Sequence, residues 1–306
     1  MQLVYAYRRG TFYPHGGADL PPRDLRSQYW RAVHALGFDG VELPAIPASA
    51  ADGDWRQLAD AAQELRAELE EAGLVCAAVR GGGGLHHPRV GAPNRRRLDS
   101  AVRFAAAIGA RIVNTTAGTP PSDVRGPGAS TGEAVSQGGS RTAHAADYER
   151  TARGLAEVAD VAAGLGIEIS LEVHQHSIAD TSWSALHLLE LIDRANVGVN
   201  PDLGNIYWTY DVPEESSEHA ILALAPKARY WHCKNLRRVH IPELQRAIFL
   251  QVPLPDGDID YRFALKAMLD TGYKGCLAVE GLRYGDQLHA DGRSVAYVKH
   301  LLRELG

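Results

Sequence analysis

Short apolar runs alternate along this chain with longer stretches of helical periodicity. The apolar runs, each four to seven residues long, are Leu3–Tyr7, Gly40–Leu43, Leu74–Val79, Arg111–Thr115, Ile167–Val173, Val197–Asn200, Arg229–Cys233 and Cys276–Glu280. Runs this short and this continuous fit parallel strands covered on both faces. Several are announced by a glycine, as in LGFDGVEL, AGLVCAAV, IGARIVN, LGIEISLEV and TGYKGCLAVE. A glycine there lets a helix end in a left-handed cap before the chain turns into a strand. Between the runs, Trp55–Glu71 is amphipathic, with Leu58, Leu65 and Leu69 at helical spacing. Leu98–Ile108, Tyr148–Leu165, Trp183–Ile192, His219–Leu224, Tyr261–Leu269 and Ser294–Leu302 also predict helices.

Strand–helix alternation repeated eight times predicts one closed (β/α)8 barrel over residues 1–306. An open doubly wound sheet is the runner-up. The glycine-rich fingerprint such a sheet carries after its first strand is absent, because Tyr7 leads into Arg8-Arg9-Gly10. The irregular stretches 8–22, 80–93, 117–141 and 235–258 all follow strands, and in a barrel such loops open on the C-terminal face. The third, rich in Gly, Ser and Pro, is long enough to predict a lid.

Composition narrows the picture a little. The chain is 45% hydrophobic and 23% charged, with a formal charge of −5, which predicts no nucleic-acid partner. Arg95, Arg96 and Arg97 read as a solvated helix face. The amino-terminal segment MQLVYAY predicts no signal peptide, and no run is long enough to span a bilayer. Cys76, Cys233 and Cys276 lie in apolar runs and read as core residues, which predicts a reducing, cytoplasmic setting.

The late strands end in chemistry. SLEVH carries Glu172 and His174 on one strand face, NPDLGN carries Asp202, WHCKN carries His232 and AVEG carries Glu280. The four groups Glu172, Asp202, His232 and Glu280 are spaced 30, 30 and 48 residues apart, one βα unit each. They therefore reach equivalent heights on the barrel and can converge. Three carboxylates among apolar residues need a compensating charge, and this hard donor set suits a divalent ion, Mn²⁺ first, with Mg²⁺ or Co²⁺ as alternatives. Lys234 reads either as a cation that offsets anionic oxygens or as a surface lysine. The run Gly81–Gly84 reads as a flexible turn, or else as an anion cradle of main-chain N–H groups, with His86 and His87 beside it. Tyr7, Trp208 and Trp231 read as core or as walls for a sugar face.

With these motifs the whole chain resembles the xylose-isomerase-like TIM barrels, the sugar isomerase/epimerase superfamily. The resemblance implies a small carbohydrate substrate and one divalent metal on Glu172, Asp202, His232 and Glu280. It also implies that Glu172 and Glu280 exchange the substrate proton, that Arg238 contacts substrate oxygens and that Glu42 faces the substrate, a structural salt bridge being the other reading of Glu42. In one place the chain departs from the pattern, with Asn205 where the family often has a substrate-contacting histidine. Asparagine can donate a hydrogen bond but cannot carry a proton near neutral pH. His174 is then the candidate for the missing titratable group.

The expected activity is isomerisation or epimerisation of a ketose or keto-sugar through a metal-stabilised enediolate. The alternative is a dehydratase or lyase acting by β-elimination on an inosose, a 3-dehydroshikimate-like compound or a 3-keto-glycoside, including C-glycoside cleavage. A non-catalytic sugar-binding barrel subunit is the remote reading. A homo-oligomer or a partner subunit fits any of the three. Phosphodiester hydrolysis needs more histidines than the chain supplies after these strands.

Overall fold

In the computed structural model the described residues are 1–7, 20–44, 55–87, 91–118, 139–208, 215–244, 246–282 and 285–306. Among them the order is β1 (Gln2–Ala6), α1 (Arg23–Ala35), β2 (Gly40–Pro44), α2 (Trp55–Glu71), β3 (Val75–Arg80), α3 (Gly91–Ile108) and β4 (Ile112–Thr116). There follow α4 (Ala145–Gly164), β5 (Glu168–Glu172), α5 (Ser182–Ile192), β6 (Val197–Asn200), α6 (Leu203–Tyr207) and α7 (Ser217–Leu224). The chain ends with β7 (Trp231–Cys233), β8 (Asn235–Ile241), β9 (Arg246–Val252), α8 (Tyr261–Asp270), β10 (Cys276–Val279) and α9 (Gln287–Leu305).

Eight of these strands form one parallel sheet in the order β6-β5-β4-β3-β2-β1-β10-β7. The sheet curls until its two ends meet. There a parallel bridge joins Val199 to Ala228, and Arg229 N–H donates to Val199 O at 2.9 Å. The result is a nearly closed (β/α)8 barrel, as the alternating pattern predicts. Residues along each strand face opposite sides. Leu3 and Tyr5 join the large cluster covered by the helices, while Val4 and Ala6 join a smaller one with Ala78, Tyr230 and Ala278. The five announcing glycines, Gly37, Gly73, Gly109, Gly166 and Gly272, all take positive φ. The three cysteines are free and buried.

Several elements differ from the sequence expectation. Helix α1 is not among the expected helices, although Tyr29, Trp30 and Val33 recur at helical spacing and are buried. Helix α3 begins at Gly91, a turn and more before Leu98. Strand β7 is only three residues long, because the chain pairs with β6 at Ala228 and bends through Arg229 and Tyr230 before joining β10. The stretch read as irregular over 235–258 contains an antiparallel hairpin, β8 with β9. The expected lid lies outside the described residues over 119–138, as does the start of the loop after β1. No described helix is long and apolar enough to cross a membrane.

Candidate metal centre

The C-terminal ends of β5, β6 and β7 bring their polar groups together. Glu172 closes β5, Asp202 is the N-cap of α6 just after β6, and His232 is the middle residue of β7. One ligand atom from each lies within 4.8 Å of the others, and all three side chains are buried. Glu280, one residue past the end of β10, joins through Lys234. The buried Lys234 Nζ lies 3.0 Å from Asp202 Oδ2 and 2.5 Å from Glu280 Oε2.

His232 is held from behind. Its Nε2 lies 2.5 Å from Glu42 Oε2, which also accepts from Tyr230 OH at 3.0 Å. Glu42, fully buried on β2, therefore sits on the far side of the imidazole from Glu172 and Asp202. Arg80 Nε lies 3.8 Å from the other Glu42 oxygen. With Nε2 committed to a carboxylate, Nδ1 is aimed at Glu172 Oε2 at 3.5 Å and Asp202 Oδ2 at 3.9 Å. That Nδ1 is buried without a hydrogen-bond partner. Facing two carboxylates, that nitrogen must either carry a proton or meet a cation, so these residues fit a divalent ion that would take the proton's place. The electrostatics agree. Burial pulls the imidazole pKa down, but Glu42 and Glu172 outweigh it and hold it up at about 9. Burial likewise pushes the Glu172 carboxyl up, and His232, with His174 and Lys234, holds it well below the ordinary range. The pocket is built to attract positive charge.

Asparagines set the carboxylate angles. Asn205 Nδ2 lies 3.0 Å from Glu172 Oε1, from Asp202 Oδ2 and from Val173 O. Asn114, on β4, donates to Glu172 Oε2 at 2.8 Å, and Asn200 on β6 donates to Asn114 Oδ1 at 3.1 Å. Asn200 Oδ1 in turn accepts the His232 main-chain N–H at 2.7 Å. Sequence reasoning missed Asn114, Asn200 and Tyr230. Their signal was present as a polar residue inside an apolar run (RIVN, VGVN, ARYW), with Asn200 level with Glu172 and Asn114 registered two residues before it.

The remaining candidates spread around this centre. His174 is half-buried beyond β5, and its Nδ1 lies 2.8 Å from Gln175 O. A carbonyl only accepts, so Nδ1 carries a proton. Arg238 stands on the hairpin, its guanidinium 5.0 Å from the Tyr207 ring centroid. Trp208 packs on Phe249 of the same hairpin, while Tyr7 and Trp231 are buried in the core. The glycine run serves close packing: a Cβ on Gly83 would fall 2.2 Å from Thr116 O. His86 is buried beside it, and Arg150 Nε donates to the His86 carbonyl. Arg95 pairs with Asp99 and Glu157 on the surface.

A family model described as "Xylose isomerase-like TIM barrel" matches residues 30–302. Among curated proteins, an inosose dehydratase of Serratia proteamaculans is 28% identical over 148 residues, 44% of this chain and 47% of that protein. A ketose 3-epimerase of Arthrobacter globiformis is 32% identical over 143 residues, 45% of this chain and 43% of that one. The matched stretch thus spans about half of each relative. Among solved structures, a xylose isomerase-like TIM barrel protein from Mycobacterium smegmatis in complex with magnesium superposes with TM-score 0.77 at 23% identity, covering 99% of this chain and 97% of that one. An L-ribulose 3-epimerase superposes with TM-score 0.72 at 17% identity, covering 100% and 96%. These two likenesses bear on the fold.

Proposed function

Because the chain belongs to the xylose isomerase-like TIM barrel family, we propose that it is a divalent-metal-dependent isomerase or epimerase of a ketose or keto-sugar. One barrel domain would carry the whole site. The observation that carries the reading is the buried, unpartnered His232 Nδ1 facing the Glu172 and Asp202 carboxylates. Glu172, Asp202 and His232 would hold the metal, with Glu280 as the fourth ligand, and Mn²⁺ suits the set best. When bound, such an ion supplies Lewis-acid polarisation of a carbonyl oxygen.

The protein's own residues do the rest. Glu172, kept ionised by His232 and Lys234, takes the proton from the carbon beside the carbonyl. Glu280 returns one to the opposite face, giving the epimer, or a proton is returned to the neighbouring carbon, giving an aldose–ketose isomer. Lys234 offsets the charge that develops on the substrate oxygens. Glu42 acts through His232, fixing its tautomer and ring angle rather than touching substrate. Arg238 presents its guanidinium to substrate oxygens from the hairpin. Asn205, in the place of the family's frequent histidine, orients two carboxylates and stays uncharged.

A second reading is favoured by His174. Its Nδ1–H is engaged by Gln175 O, which leaves Nε2 as the remaining ring nitrogen on the Glu172 side of the site. Such a group suits dehydration or β-elimination, where a leaving hydroxyl needs a proton. The inosose dehydratase and ketose 3-epimerase relatives are named for one outcome each. The deciding experiment follows solvent deuterium into ketoses, keto-glycosides and inososes with Mn²⁺ present. Exchange or epimer formation without loss of water supports the first reading, and loss of a β-substituent supports the second. A purified chain that carries no divalent metal, gains no stability from Mn²⁺ and exchanges no deuterium would leave only a sugar-binding barrel.

A further inference from the structure

Glu280 is held differently from the other three groups, because it lies one residue beyond the last strand pairing of β10. Its N–H still reaches Cys233 O at 2.9 Å. A side chain from outside the barrel holds its carbonyl. Gln251 of β9 donates its amide to Glu280 O at 2.8 Å and to Gly281 O at 3.1 Å. On the opposite side of the same turn, Asp291 of α9 accepts the Leu282 N–H at 3.2 Å. The turn is pressed so closely on that carboxylate that a Cβ on Gly281 would lie 2.4 Å from Asp291 Oδ2.

The hairpin that supplies Gln251 reaches the other side of the centre as well. Two residues before Gln251, on the same strand face, Phe249 packs on Trp208 with ring centroids 5.2 Å apart. Arg238, the cross-strand partner of Phe249, covers Tyr207. Tyr207 and Trp208 end the short helix that Asp202 caps and that contains Asn205. One hairpin face therefore spans from the Asp202 helix to the main chain of Glu280.

We propose that Gln251 is a positioning residue that fixes the Glu280 carboxylate relative to Asp202, so that the hairpin carrying Arg238 also sets the fourth corner of the metal centre. This rests on the reading of Glu280 as ligand and proton carrier. Two carbonyls held by one amide cannot turn independently, and the Glu280 side chain inherits that restriction. Loss of an outer-shell partner of this kind costs about 10–100-fold in metal affinity or activity.

The test is a double-mutant cycle on Mn²⁺ affinity by calorimetry, with kcat, KM and melting temperature measured alongside. Gln251→Met should weaken Mn²⁺ binding and lower kcat by about tenfold each while leaving KM within about twofold. Its melting temperature should stay close to that of the parent. In a Glu280→Gln background, Gln251→Met should change Mn²⁺ affinity no further. Additive effects on affinity overturn the proposal, and so does a Gln251→Met variant that loses only melting temperature. Should that variant not fold, Gln251→Asn, one methylene short of both carbonyls, is read the same way. Leu250→Ser, at an exposed neighbouring position on the other hairpin face, should leave Mn²⁺ affinity and kcat unchanged. If it lowers them equally, the amide of Gln251 is not responsible. Failure of the underlying reading looks different: Glu280→Gln alone then leaves Mn²⁺ affinity and turnover intact, and the inference falls with it.

Discussion

The two sides of the centre are secured by different means. On the β5–β6–β7 side, Glu172, Asp202 and His232 are braced by Asn114, Asn200, Asn205 and Glu42, all buried and all inside the strand ring or at its rim. On the β10 side, Glu280 is braced by Lys234 and by Gln251 and Asp291, which arrive from the hairpin and from α9. The first side is as rigid as the barrel. The second is only as fixed as the elements packed against it. A centre built this way can keep the positions of three groups constant while an outlying hairpin tunes the fourth.

That contrast can be broken most severely at its rigid side. Glu172→Gln should lower turnover by about 10²–10⁴-fold, the range of a lost general acid or base. Its melting temperature should fall modestly, since the amide oxygen still accepts from one asparagine while the NH2 group faces the other donor. Deuterium exchange and thermal melting on the same sample check both halves, and near-normal exchange would remove Glu172 from the proton path.

A smaller effect is expected from the brace itself. Asn205→Ala deletes the donor shared by Glu172 Oε1 and Asp202 Oδ2, so Mn²⁺ affinity should fall by about 10–100-fold. Calorimetry that finds unchanged affinity would show that the carboxylates keep their angles without it. His174→Ala separates the chemistries rather than the two sides. A modest loss of kcat goes with epimerisation by the glutamates, and a complete loss goes with elimination.

The smallest effect lies in stability on the β10 side. Burial pushes the Asp291 carboxyl up from its ordinary 3.8 to about 7, against the opposing hydrogen bonds from Leu282 and Tyr5. A carboxyl with a raised folded pKa binds more protons folded than unfolded. Its contribution is therefore full below the unfolded value of 3.8 and is lost as pH rises through about 7. Asp291→Asn should flatten the decline in melting temperature between those two values. A variant whose melting profile runs parallel to the parent's would place the ionisation elsewhere.

How much of this was legible from the chain follows the same division. The barrel and the strand-end residues of β5, β6, β7 and β10 were readable, because buried parallel strands make continuous apolar runs in which one acid or histidine stands out. The asparagine brace was not. An asparagine in such a run looks like a strand boundary until the neighbouring strand shows which partner it meets. The hairpin was hidden for another reason. NLRRVHI and RAIFLQV place apolar side chains on an exposed face, with Val239, Ile248 and Leu250 about half exposed. Their alternation therefore reports no core, and the connection lacks the glycine turn that usually announces a hairpin. Glu42 was located but its direction was not, since strand position does not say whether a side chain meets substrate or a neighbouring histidine.

The seam between β6 and β7 joins folding to chemistry. Every other neighbouring pair of barrel strands is laced by main-chain pairing. Here one bridge at Val199 and Ala228 is followed by a side chain, Asn200, standing in for a strand partner to the His232 N–H. The barrel's closing join therefore runs beside His232, a residue of the centre. Amide exchange along β7 would report both at once, because opening the seam dismantles the imidazole's seat, and a ligand that seats the imidazole draws the seam shut. Occupying the centre should make a hoop of what is otherwise a rolled sheet.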